Sequence, residues 1–60
     1  MSDIQVGDRV QITRVEGDDD PGWLNKIGIL VMVADDVRCV VAFADGSGAT
    51  VQISQLTKVV

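Results

Sequence analysis

Val6-Gly7-Asp8-Arg9-Val10-Gln11-Ile12-Thr13-Arg14-Val15 alternates, with Val6, Val10 and Ile12 on one side and Arg9, Gln11 and Thr13 on the other. A period of two marks a half-buried strand. Gly7-Asp8 near its start predicts a turn or bulge. Two apolar runs follow, Ile27–Val33 and Val37–Phe43, with the short polar turn Ala34-Asp35-Asp36 between them. β-branched residues dominate both runs and suit a pleated surface, so the pair predicts a β-hairpin spanning Ile27 to Asp45. Asp45-Gly46-Ser47-Gly48 predicts a second tight turn. Ala49-Thr50-Val51-Gln52-Ile53 alternates again, with Val51 and Ile53 inward. Ser54-Gln55-Leu56 predicts one turn of tight helix capped by Ser54, and Thr57–Val60 a last short strand. Met1–Gln5 is a polar lead-in.

The central hairpin departs from simple alternation. Ile27, Ile29, Val31 and Val33 share one side of its first strand; Gly28, Leu30, Met32 and Ala34 share the other. Val37, Cys39, Val41 and Phe43 alternate with Arg38, Val40, Ala42 and Ala44 on the second strand. Both sides are apolar, whereas an antiparallel sheet with one wet face has a polar alternate side. The expected core side carries Val31, Val41 and Phe43. Leu30, Met32 and Val40 then form an outward apolar surface, available to another chain.

Composition narrows what such a fold can do. Sixty residues make a single domain, 1–60, which buries about 60% of its unfolded surface and is marginally stable alone. One cysteine, Cys39, allows no internal disulfide, and with no histidine it cannot build an ordinary zinc site. Cys39 reads as a small core residue rather than a reactive thiol. Aromatic residues are 3% of the chain, so Trp23 and Phe43 are its large rings. The net charge of −4 argues against broad phosphate contact and suits a basic or neutral partner. No basic, apolar leader opens the sequence, and no run approaches the roughly 20 residues of a membrane span. A lone cysteine fits a reducing cytoplasm or organelle stroma.

Glu16-Gly17-Asp18-Asp19-Asp20-Pro21-Gly22 is a loop. Asp18, Asp19 and Asp20 offer carboxylate oxygens of the kind calcium takes, but the glycine and glutamate spacing of a calcium-binding helix–loop–helix is missing. Mutually repelling carboxylates are more often a solvated loop, so no metal and no cofactor is expected. Trp23 at the loop's end is either a lid over the core or a binding platform. No histidine is present for a catalytic triad, and paired carboxylates occur only in loops.

Gly-Asp-Arg-Val at 7–10, a long loop, Lys-Ile-Gly-Ile-Leu-Val at 26–31, Val-Val-Ala-Phe at 40–43, Asp-Gly at 45–46 and a late Leu before Val-Val together resemble an SH3-like barrel. The pattern is similar to KOW and Tudor-type modules and to small barrel subunits of photosynthetic electron-transfer complexes. The resemblance implies an all-β, five-stranded SH3-like barrel with a long acidic loop after strand 1 and a 3-10 turn before the last strand. Its members differ in function. A Tudor cage or a proline-binding groove needs more rings than Trp23 and Phe43 supply. KOW modules often contact nucleic acid, which the five scattered cations against nine acids disfavour here. Gly7-Asp8-Arg9-Val10 and Val51-Gln52-Ile53 also resemble segments of type II dihydrofolate reductase. That resemblance implies Gln52 and Ile53 as pore-lining residues, with Ser54 standing where the family has Tyr.

The expectation is a small non-enzymatic interaction module, an accessory or adaptor in a bacterium, phage or organelle. Its contact surface would comprise Trp23, Asp18, Asp19 and Asp20 of the loop with Leu30, Met32 and Val40 of the hairpin. A protein partner, basic or a second copy of the chain, would meet it there.

Overall fold

The computed structural model describes residues 4–59. Residues 1–3 of the expected lead-in and Val60 of the expected last strand lie outside the described residues. The elements are β1 (Arg9–Ile12), a 3-10 turn η1 (Pro21–Trp23), β2 (Ile27–Val33), β3 (Arg38–Phe43), β4 (Gly48–Gln52), a second 3-10 turn η2 (Ile53–Gln55) and β5 (Leu56–Lys58). The class is all-β, and the five antiparallel strands form one sheet in the order β4-β3-β2-β1-β5.

β4 and β5 are the two edges of this sheet, yet η2 alone separates them in the chain. Four extended steps from Gln52 to Leu56 span at most about 15 Å. A flat sheet would hold its outer strands about 19 Å apart, four spacings of nearly 5 Å. The sheet therefore curls. The curl stops short of pairing β4 with β5, so the sheet remains open at that seam.

Val10, Ile12, Leu30, Cys39, Val41, Phe43, Ala49, Val51 and Leu56 form the core on the inner face, with Ile4, Val15, Trp23 and Ile53 packed around it. Val10 and Ile12 sit inward, as their alternation predicts. Val6 does not join them. It lies ahead of β1 in a turn where Gly7 adopts φ +97° and Asp8 N–H donates to Gln5 O at 3.0 Å, and it is exposed.

The hairpin of β2 and β3 is present, but the sides of its first strand are reversed. Leu30 is 1% exposed, a core residue, while Ile27, Ile29 and Val31 face outward. Two causes are visible. Gly28 sits inward opposite Phe43, where a Cβ would come 2.5 Å from Ala42 O and 3.0 Å from the Phe43 ring, so the inner row needs glycine there. The register then shifts between Leu30 and Met32, which pair with Val41 and Val40 in turn. Val31 is the extra residue of a β-bulge, left without an opposite number. Met32 and Val40 are thus outer-face partners, as expected of them, and Leu30 is not on that surface.

η2 also forms where a tight helical turn is expected, with a different cap. Gln52 is the N-cap residue, and its N–H donates to Gln55 Oε1 at 2.9 Å; Ser54 does not cap. No helix among the described residues is long and apolar enough to cross a membrane.

Candidate functional site

The outer face of the sheet carries an apolar stripe. Arg9 pairs with Ile29, Ile29 with Ala42, and Ala42 with Gly48; beyond the bulge, Met32 pairs with Val40 and Val40 with Thr50. Ile29 is 41% exposed and Met32 51%, with Ile27 and Val31 similar. Arg9 and Gln11 on β1 and Arg38, Thr50 and Gln52 on β3 and β4 give the stripe polar margins. A shallow depression of about 370 Å³ opens among Arg9, Ile27, Ile29, Ala42, Phe43 and Ala44. Phe43, one of its lining residues, has the Lys26 Nζ 4.7 Å from its ring centroid, and that Nζ lies 3.7 Å from Asp45 Oδ2.

The second concavity lies at the seam. A cleft of about 490 Å³ runs between the acidic loop, at Glu16 to Asp19, and the edge strand β4, at Thr50 to Gln52, with Arg38 and Gln55 also lining it. Val40 links the two regions, because it faces Met32 on one side and Thr50 on the other. Met32 and Val40 stand on the outer face of the sheet, whereas Asp18 and Asp19 line the seam cleft with Thr50. Trp23 lines neither concavity; it is half-buried, packed against the core at the end of η1. Leu30, expected on the contact surface, lies beneath it.

The aspartates of the loop are not equivalent. Asp20 Oδ1 accepts the Gly22 N–H at 2.8 Å and caps η1. Asp19 Oδ2 accepts from Gln55 Nε2 at 2.8 Å and from Glu16 N–H at 3.0 Å, and these bonds, the Gln55 one foremost, hold its carboxyl below the usual range. Asp18 is exposed, with no side-chain hydrogen bond or ion pair among the described residues. Elsewhere Asp35 Oδ1 accepts the Arg38 and Val37 N–H groups, each at 2.8 Å, and Asp45 Oδ1 accepts both the hydroxyl and the N–H of Ser47. Both carboxyls are lowered for that reason. These perturbed acids close turns, which accounts for their shifts without any chemistry on a substrate. Among the described residues no group of His, Cys, Asp or Glu side chains converges as a metal would require.

Cys39 is buried on the inner face, its Sγ 3.4 Å from Val51 O, and burial pushes its thiol up. Gln52 is exposed beside Arg38, and Ile53 is half-buried at the start of η2. Sequence reasoning missed Ile27, Ile29 and Val31 as surface residues, and saw in Gln55 a turn position without its buried side-chain bonds. Gly28 carried the one available signal, since a glycine inside a strand marks close approach on its own side.

Comparison with known proteins finds no matching family model, no similar curated protein and no similar solved structure.

Proposed function

We propose that this chain is a small non-enzymatic protein-interaction module of SH3-like architecture. The observation that carries the reading is the outer face of β2 and β3. Ile27, Ile29, Val31 and Met32 stand exposed together on one face, while Asp35 and Asp45, two of the acids with lowered carboxyls, are occupied in closing turns. A contiguous apolar patch with polar margins is the usual signature of a contact site, and its desolvation drives association. Arg9 at one margin supplies a cation able to orient the partner. The curl imposed by the short η2 link supports the barrel reading of the sheet. A protein partner, or a second copy of the chain, covers the stripe, and Trp23 with its loop borders the contact.

The test compares the wild-type chain as affinity bait with Ile29→Lys, Met32→Lys and Trp23→Ala, each checked for folding. A partner lost with the outer-face variants supports the reading. Equal retention by all of them removes it. Light scattering at rising protein concentration separates a second copy from a foreign partner. Salt-sensitive retention on RNA would favour a KOW-like module instead, and consumption of NADPH with dihydrofolate would favour the reductase resemblance.

A further inference from the structure

The hydrogen-bond phase of β4 shows which of its backbone groups are spare. Phe43 N–H donates to Ser47 O at 2.8 Å and Ile53 N–H to Val37 O at 2.8 Å. In an antiparallel ladder, bonded and non-bonded pairs alternate. The pairs between these two bonds therefore alternate from them: Val41 with Ala49 and Cys39 with Val51 exchange bonds, while Gly48, Thr50 and Gln52 turn their N–H and C=O groups away from β3. Gln55 Oε1 takes the Gln52 N–H. Gly48 and Thr50 keep theirs, aimed out of the sheet at the seam.

An open edge of this kind is a template for another strand, and natural folds usually blunt it with charge, proline or a covering segment. β4 carries none of these in Gly48-Ala49-Thr50-Val51-Gln52. The acidic loop stands off from it across the 490 Å³ cleft instead of covering it. The loop is held there: Gln55 Nε2 bonds both Arg14 O and Asp19 Oδ2 at 2.8 Å, fixing the far wall of the cleft. That wall presents Glu16, Asp18 and Asp19, against Arg38 on the strand side. Asp18, with no side-chain partner among the described residues, is the carboxylate left for an incoming cation.

We infer that the β4 edge is a docking strand for an extended peptide carrying lysine or arginine. The peptide adds alongside Gly48 and Thr50, and its alternate basic side chains reach the carboxylates of the loop. Backbone pairing supplies registry, and the acidic wall supplies preference for cations. This contact is separate from the outer apolar stripe and does not depend on it.

The test uses the isotope-labelled full chain and two short capped peptides of alternating threonine and valine, one bearing lysines and the other glutamates at the same places. The lysine peptide is expected to shift the Gly48 and Thr50 amides and slow their hydrogen exchange, and the glutamate peptide to bind at least tenfold more weakly. Thr50→Pro removes an outward N–H without touching the β3 ladder, so it should weaken the lysine peptide at least tenfold. Should that variant fail to fold, Asp18→Lys at an exposed position serves instead and should reverse the preference between the peptides. Equal binding of both peptides, no binding, or shifts confined to Ile29 and Met32 would overturn the inference. So would protection of Thr50 that grows with protein concentration alone, which would make a second copy the occupant.

Discussion

Gln55 and Asp19 are tied together across the molecule, the Gln55 Nε2 donating to Asp19 Oδ2 at 2.8 Å. Gln55 is 2% exposed, and its remaining bonds reach Arg14 O and the Gln52 N–H. Its backbone carbonyl also accepts both the N–H and the hydroxyl of Thr13. One residue thus joins β4, η2, the end of β1 and the acidic loop. Gln55→Ala would strand the side-chain partners and is expected to cost about 2–3 kcal/mol, read from a denaturant midpoint. Gln55→Glu sets a carboxylate against Asp19 and the Arg14 carbonyl. Its deficit relative to wild type should be largest at neutral pH and shrink as the carboxylates protonate.

Acid should loosen the fold through its turns. Asp19, Asp35 and Asp45 all have carboxyls held below the unfolded value of 3.8 by hydrogen bonds, from Gln55, Arg38 and Ser47 respectively before their lesser donors. A group lowered on folding contributes stability that is complete above its unfolded pKa. That stability is lost as pH falls through 3.8 and on through the folded value. The urea midpoint should therefore be level from about pH 6 to pH 8 and fall below about pH 4. Asp35→Asn should flatten the fall; an unchanged acid limb would show that these turns do not report on global unfolding.

Leu30 and Ile29 are neighbours with opposite surroundings, and they separate stability from binding. Leu30→Ala empties a core site and is expected to cost about 2–5 kcal/mol. Ile29→Lys changes an exposed outer-face residue and should move stability by no more than about 0.5 kcal/mol. Thermal unfolding of the pair checks this, and similar losses for both would refute the assignment of sides.

Gly28→Ala should be among the most damaging single-methyl changes. The added Cβ would lie 2.5 Å from Ala42 O and 2.7 Å from a Val41 methyl, both on the adjacent strand. Backbone cannot yield as a flexible side chain does, so β2 and β3 must part locally. Overpacking of this sort costs about 1–3 kcal/mol. Gly17→Ala serves as a control for the added methyl, which would meet nothing within 4 Å, though the φ of +56° there carries a strain of its own. Urea unfolding of the two variants checks the contrast, with the larger loss expected at Gly28.

The hairpin, the glycine turn at Gly46 and the tight turn before β5 are all legible in the chain, because each rests on local chemistry: β-branched runs, positive φ and short polar links. The sides of β2 are not. Every candidate on either side is apolar, so period two cannot say which row turns inward. Leu30 and Ile29 look alike to any hydropathy pattern, and what separates them is the space over Gly28 and a bulge that has no composition of its own. The side-chain bonds of Gln55 escape notice for a related reason. A buried glutamine is identified by its partners, and Arg14 and Asp19 lie 41 and 36 residues away. The loop acids read as a solvated run, yet two of the three aspartates there hold the backbone in place.

Val31 faces no residue on β3, whereas Leu30 and Met32 on either side of it are both paired. A codon lost from the middle of a strand ordinarily throws every later side chain to the wrong side. Lost at Val31, it would instead close the ladder into a regular one, with Leu30 still inward and Met32 still outward. The gene can therefore change length at this point without scrambling the fold, and what it would trade away is local twist. The extra twist of β2 is in that sense a one-residue insertion, heritable and removable on its own, while the curl set by the η2 link stays.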